Sequence, residues 1–491
     1  MTEQLEMIQK MDLKALKSEK IWQYFIEITQ IPRPTFHEEK IKAYLLNWAV
    51  EQGFSYKLDD ADNIVIFVPA SKGYESHPTV VLQVHKDMVC EKNADIEFDF
   101  LNDSLQLELC NGWLKAKGTT LGADNGLGIA AAMAVSTEKN IKRPALELLI
   151  TASEERGLVG ANNLSKDILT AKTMINLDTE SWGDIYVGCA GSQSAKLTFA
   201  LDEVTQSEEF ISFELIISGL KGGHSGLDID KPRINAAKFL SLLLNDLDQA
   251  IEFNISHIDA GNLPNAIPRE AKAVISCQPQ DEIKFKTRVN NYFQLWKAIY
   301  QKSEPNFNLQ IKATTRQKSC FSFVLKDKLI NLLSVIHSGV LAMSSAMSNL
   351  VESSNNLSSI KLKDNKLIIT IYARSDNNLG ISTFMQGIER NAKQNGADFE
   401  KSQLSPGWKP DMSSRILEIA KESYFALCQQ QASIKAIHAG LECGAIADKY
   451  PQMDMVSIGP TIKDAHSPDE KVDISTVSDF YQLLKNMLER L

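Results

Sequence analysis

Residues 146–160 read LELLITASEERGLVG. A run of leucine and isoleucine ends at Ala152-Ser153 and delivers two adjacent glutamates, Glu154 and Glu155, followed by Arg156 and Gly157. A short apolar run bounded by polar residues is the pattern of a buried strand. Two further runs share it, TVVLQVHKD at 79–87 and TMINLDTE at 173–180. Between the first two lies GADNGLGIAAAMAVSTEK at 122–139, a glycine-bearing turn that leads into an alanine-rich helix. This alternation predicts a sheet with helices on its faces, where ligands gather at the carboxyl ends of the strands. Two neighbouring carboxylates at such an end have a plain explanation, a solvated loop start, because Glu is mostly exposed. The sharper explanation is a division of labour, one acid on a metal and the other handling a proton.

The bulk properties narrow the field. At 491 residues the chain exceeds what one core usually supports, so two domains are expected. With 44% hydrophobic and 23% charged residues it is an ordinary globular composition. A formal charge of -10 argues against a nucleic-acid backbone or an anionic membrane as the partner. The leading residues mix acidic and basic side chains without an apolar segment, so no secretory signal is expected there. No window approaches the roughly 20 apolar residues of a membrane helix. Seven cysteines, with no CxxC pair, predict reduced thiols in a cytoplasmic protein. A metal would then be held by histidines and carboxylates.

The pattern changes near Ser192. Strand, helix and strand follow, and a similar order recurs around the turn at Asp364-Asn365, as in a doubled unit. SPGWKPD at 405–411 marks the exit, after which the first pattern resumes. The expected architecture is an α/β domain, residues 1–193 and 408–491, with a mixed, mostly parallel sheet and helices on both faces. An α+β domain, residues 194–407, is inserted into it.

His85 and Asp87 sit two apart at a strand end and so share a face. An aspartate there can fix the imidazole tautomer of a metal ligand. Asp124, in LGADNGLG, could cap its helix or, with two carboxylate oxygens, bridge two cations. No GxxxxGK[ST] or GxGxxG accompanies those glycines, so a phosphate loop is not expected. Asp178 ends another apolar run, and His466 lies in a turn before Pro468. Together His85, Asp124, Glu155, Asp178 and His466 form an imidazole and carboxylate set suited to Zn²⁺, Mn²⁺ or Co²⁺. Two divalent cations and one hydroxide would balance three ligating carboxylates. Uncompensated, the carboxylates would repel each other and some would protonate.

The strings HKDMV, GTTLGADNGLG, SEERG, NLDTES, KGGHSG, NAIPRE, HAGLECG and GPTIKDAHSPDE occur in this order along nearly the whole chain. With them the chain resembles the aminoacyl-histidine dipeptidases, cytosolic carnosine-cleaving enzymes of the aminoacylase and carboxypeptidase metallopeptidase family. The resemblance implies that His85 and Asp178 bind one metal, Glu155 and His466 the other, and that Asp124 bridges them. Two zinc ions are the implied cofactor, with manganese or cobalt as alternatives. Asp87 would orient His85, and Glu154 would be the general base. His224 would stabilise the oxyanion from the inserted lid domain, and Asn265 and Arg374 would hold the substrate backbone and its carboxylate. Gly440 would offer a backbone N–H to that carboxylate, and Glu442 would meet the amino end.

The implied substrate is a small unblocked dipeptide, Xaa-His among them, and the implied assembly is a homodimer through the inserted domain. An N-acyl amino acid deacylase, a tripeptidase, or a binding homologue without turnover are the alternatives, the last marked by a missing ligand or base that is not missing here. The sequence departs from the pattern at Lys86, which must snorkel or pair with an acid, and at Val351–Asn356, which bears on specificity.

Overall fold

The computed structural model describes Leu16 and residues 18–491, so most of the leading segment read for a signal lies outside the described residues. The chain packs as two compact units. The first holds the chain up to Cys189, Trp408–Ala436 and Leu441–Leu491, and the second holds Ala190–Gly407 with Ile437–Gly440.

Among the described residues, the first unit is built on an eight-stranded sheet. Its middle consists of four parallel strands in the order Leu146–Thr151, Val80–His85, Thr173–Asn176 and Asp454–Ser457. Every residue of Val80–His85 and Leu146–Thr151 is buried. Strands covered on both faces carry no polar alternation, which is why they read as apolar runs broken only by Gln83 and Glu147 before their polar ends. Antiparallel strands flank this middle, Ile64–Val68 and Ser55–Leu58 on one side and Asp184–Cys189 on the other. The three parallel pairings of the middle set the carboxyl ends of its four strands at one edge of the sheet, where the candidate site lies.

Parallel neighbours need a crossover, and the helix Ala123–Thr137 supplies one between Val80–His85 and Leu146–Thr151. Its residues from Asn125 to Ser136 are all buried, and small alanines let it lie against both the sheet and the helix Lys20–Ile28. That second helix sinks Trp22 and Phe25 completely, each worth about 1.5–3 kcal/mol.

The second unit carries a nine-stranded sheet among the described residues, antiparallel at every pairing. Both stretches that read as a doubled unit lie in this one sheet, adjoining where Phe253–Ala260 meets Val351–Lys363. The hairpin Val351–Lys363 to Lys366–Ser375 turns at Asp364-Asn365, with φ of 50° and 59°. A two-residue hairpin loop needs two left-handed residues, and Asp and Asn tolerate that conformation. The helix Glu282–Tyr300 escaped the sequence reading. Its buried positions Phe285, Val289 and Phe293, with Tyr292, Trp296 and Tyr300 packed beside them, make the core-facing stripe, but Ile283, Leu295 and Ile299 are exposed and blur the period.

Candidate metal centre

The site grows from the ends of the parallel strands in the first unit. Val80–His85 ends on His85, whose Nδ1 lies 3.3 Å from Asp87 Oδ1. His85 Nε2 lies 2.9 Å from Asp124 Oδ1 and 3.5 Å from Asp178 Oδ1. Asp87 also accepts the backbone N–H of Glu154 at 2.9 Å and of Glu155 at 3.2 Å, and the Thr35 hydroxyl at 2.9 Å. One carboxylate thus orients the histidine and fixes the paired glutamates of the neighbouring strand. These glutamates stand on a 3-10 turn, Glu154–Arg156, entered through Ser153 in the left-handed region at φ 50°.

Lys86 answers the choice between snorkelling and pairing. It is fully buried, donates to Asp62 O at 2.7 Å, and lies 3.2 Å from Glu38 Oε2. Glu38 Oε1 in turn accepts the Ser153 amide at 3.0 Å and its hydroxyl at 2.7 Å. The side chain that departs from the family pattern therefore braces, through Glu38, the turn that carries Glu154 and Glu155.

Asp124 follows Gly122, which sits at φ 66°, where a Cβ would meet Arg33 at 2.7 Å and Met88 at 2.8 Å. Asp124 and Asn125 leave the helical φ/ψ region, and the Asp124 carboxylate turns to the histidines rather than capping its helix. Its Oδ2 lies 3.2 Å from His466 Nε2, so each oxygen faces one histidine. His466 also lies 3.1 Å from Glu155 Oε2. Asn125 hydrogen-bonds Asp178 Oδ1 and donates to Leu177 O at 2.8 Å, which orients Asp178.

The donor set fits divalent cations. Ligand atoms of His85, Asp124 and Glu155 lie within 4.8 Å of one another, and Asp178 and His466 adjoin them. Glu155 Oε1 is buried with no hydrogen-bond partner, a cost that a cation would remove. Burial acts to lower the His85 imidazole, yet Asp178 and hydrogen bonds to Asp124, Asp178 and Asp87 raise it well above its ordinary value. Hydrogen bonds to Asp124 and Glu155 lift His466 to about 11. Burial, with the charges of Asp124 and Glu155 adding to it, pushes Asp178 up to about 7.

Protons therefore occupy the positions that cations would take, and cation binding must release them. Release upon binding makes affinity rise with pH. Between pH 8 and pH 6 the apparent Kd for Mn²⁺ is expected to weaken about tenfold per pH unit for each proton displaced. Calorimetric titration in two buffers of different ionisation heat counts those protons, and a pH-independent affinity would contradict the assignment.

The other predicted residues divide between the units. In the second unit, His224 Nδ1 accepts the amides of Gly226 at 3.2 Å and Leu227 at 3.0 Å, which leaves the hydrogen on Nε2. Burial and then the Arg374 charge lower its pKa, so the ring is neutral. Arg374 is 5% exposed, its Nε has no partner, and one terminal nitrogen lies 3.4 Å from His224 Nε2. Two donors turned toward each other call for an anion.

His438, beside these groups, pairs with Ser354 Oγ at 2.7 Å. Asn265 is exposed, and Asn356 holds the carbonyls on either side of it, Pro264 at 3.3 Å and Ala266 at 2.8 Å. The altered segment, through Ser354 and Asn356, thus underlies these substrate candidates. Gly440 is exposed in the second unit. Glu442 lies in the first unit, 2% exposed, where its Oε2 accepts from Gln83 Nε2 at 2.5 Å and Thr151 Oγ1 at 2.7 Å.

The sequence reading missed Arg33, Glu38 and Glu470, all buried beside the site. Only Glu470 carried a signal, as the last residue of the string that contains His466.

The sequence model of peptidase family M20/M25/M40 matches residues 81–490. The cytosol non-specific dipeptidase of Escherichia coli (strain K12) is 38% identical over 480 residues, covering 98% of this chain and 99% of the relative. The crystal structure of an aminoacylhistidine dipeptidase from Vibrio alginolyticus has a TM-score of 0.94 at 38% identity and covers 98% of both chains. A tripeptidase from Staphylococcus aureus, at 17% identity and a TM-score of 0.53 over 96% of this chain and 97% of its own, shares the fold alone.

Proposed function

The chain belongs to peptidase family M20/M25/M40 and is a hydrolase, and from this we infer that it hydrolyses dipeptides in a metal-dependent reaction, unblocked Xaa-His dipeptides among them. The observation that carries the reading is the Asp124 carboxylate, with one oxygen toward His85 and the other toward His466. That arrangement offers two cation positions sharing one ligand. His85 and Asp178 would hold one cation, Glu155 and His466 the other, with Asp124 common to both. When bound, the pair supplies Lewis acidity toward the scissile carbonyl and the attacking water, with zinc the favoured metal.

The protein's own groups do the rest. Asp87 holds the His85 ring by Nδ1, so that Nε2 is the nitrogen presented to the site. Glu154 takes the proton of the attacking water and returns it to the leaving amine. Burial first, and then Asp178, Glu442 and Glu155, push its carboxyl well above the usual carboxylate range, which suits a base that must also act as an acid. His224 Nε2–H would donate to the developing oxyanion, and Arg374 would fork onto the substrate carboxylate. Asn265 and Gly440 complete the substrate assignments. Glu442 has its Oε2 engaged with Gln83 and Thr151, so a contact with the substrate amino end would fall to its other oxygen. A homodimer through the second unit and a cytoplasmic location complete the reading. The second is supported by the absence of any disulfide among the described cysteines.

The test is release of free histidine from β-Ala-His, Ala-His and N-acetyl-His, with protein reconstituted in Zn²⁺ or Mn²⁺ and a chelated control. Metal-dependent release from the unblocked dipeptides alone is expected. Release only from N-acetyl-His would make the protein a deacylase, and release that survives chelation would overturn the metal-dependent reading.

A further inference from the structure

We propose that Arg33 and Glu470 act as a positioning pair that sets the turn at residues 121–124, and through it the spacing of the two cation positions about Asp124. The proposal rests on the metal-dependent reading above. The turn opens a helix, and the first amides of a helix have no partner within it. Glu470, 2% exposed, accepts four consecutive amides of this turn. Its Oε2 accepts from Leu121 N at 2.7 Å and Gly122 N at 3.0 Å, and its Oε1 from Ala123 N at 2.8 Å and Asp124 N at 3.5 Å.

Arg33, also 2% exposed, grips the same turn by its carbonyl side. It donates to Gly122 O at 2.5 Å and, from its other terminal nitrogen, to Asp87 O at 2.6 Å and Lys86 O at 3.1 Å. An anion thus takes the N–H groups and a cation takes the carbonyl, so neither can replace the other.

Each of the pair ties the turn to a different ligand-bearing segment. Glu470 stands four residues after His466, so its amide bonds dock the His466 loop onto the Asp124 turn. Arg33 docks the end of the His85 strand onto that turn. The two Asp124 oxygens lie 2.9 Å from one histidine and 3.2 Å from the other, and both docking contacts meet on the turn that carries it, Arg33 at Gly122 O and Glu470 at the amides of residues 121–124. Metal ligands depend on such supports for their orientation, and loss of one typically weakens metal binding 10–100-fold.

A purely structural role is separable from this one by a matched control. Glu147 is 1% exposed and likewise accepts backbone amides, from Thr170 N at 3.1 Å and 3.0 Å and Ala171 N at 3.3 Å. It lies at the other end of the strand that leads to Glu154. The experiment is equilibrium dialysis of the metal-stripped full chain against Mn²⁺ for wild type, Glu470→Gln and Glu147→Gln, with the Tm of each stripped protein.

Glu470→Gln is expected to weaken Mn²⁺ binding by roughly 10–100-fold and to hold fewer than two ions where wild type holds two. Glu147→Gln is expected to lose Tm but keep wild-type binding. Equal weakening in both variants, or in neither, overturns the positioning role. Should Glu470→Gln not fold, Glu470→Asp keeps the charge, withdraws it by one methylene, and is read against the same control. Wild type that takes up no Mn²⁺ overturns the metal-dependent reading itself, and the pair with it.

Discussion

Glu154→Gln is expected to leave the protein folded and able to bind cations while lowering kcat by a factor on the order of 10²–10⁴. Glutamine keeps the shape of the side chain, and the contact that fixes this residue is its backbone N–H to Asp87 Oδ1 at 2.9 Å, which the substitution does not touch. Glu155, with Oε2 at 3.1 Å from His466, keeps its place as well. What disappears is the only function an amide cannot copy, reversible acceptance of a proton. The loss should fall on kcat with KM little changed, since the group acts on the proton in the transition state. Histidine release from Ala-His, with metal content and Tm measured on the same sample, checks it. A kcat within a few-fold of wild type would remove Glu154 from the role of base.

Lys86→Met is expected to destabilise the first unit by about 3–5 kcal/mol, the cost of breaking a buried ion pair by removing one partner. Lys86 is fully buried and Glu38 is 5% exposed, so the glutamate would be left charged in a site with little access to water. Asp62, the other partner, has a side chain 44% exposed and contributes little to that cost. Adding Glu38→Gln should recover most of the loss, because glutamine still offers an acceptor to Ser153 and no longer carries a charge. Denaturant unfolding followed by a probe in the first unit distinguishes the cases. A single variant within about 1 kcal/mol of wild type would show that the pair does not hold the Glu154 turn.

These two substitutions mark the boundary of what could be read in advance. Glu154 stood out because Leu146–Thr151 is buried on both faces, so its end is visible as the first polar residues after an apolar run. His85 and Asp178 were visible for the same reason, each just at or beyond a strand of the parallel middle. The proposed division of the ligands between two cations was not legible from the residues and came from the resemblance. Lys86 was visible only as an anomaly, since a lysine beside a buried strand end has two outcomes and local pattern does not choose between them. The helix Glu282–Tyr300 stayed hidden because exposed Ile283, Leu295 and Ile299 put apolar residues off its core-facing stripe and blur the period.

The sequence alone disclosed the imidazole and carboxylate candidates, the strand ends that carry them and the change from an α/β to an α+β pattern, because each of these leaves a local trace in polarity and period. Only the tertiary structure decided which oxygen of Asp124 faces which histidine, that Lys86 pairs rather than snorkels, and that Arg33, Glu38 and Glu470 brace the site. Those contacts join residues as far apart as Leu121 and Glu470, separated by 349 positions. A pair so distant is set by how the sheet brings strand ends together, and no local pattern records it.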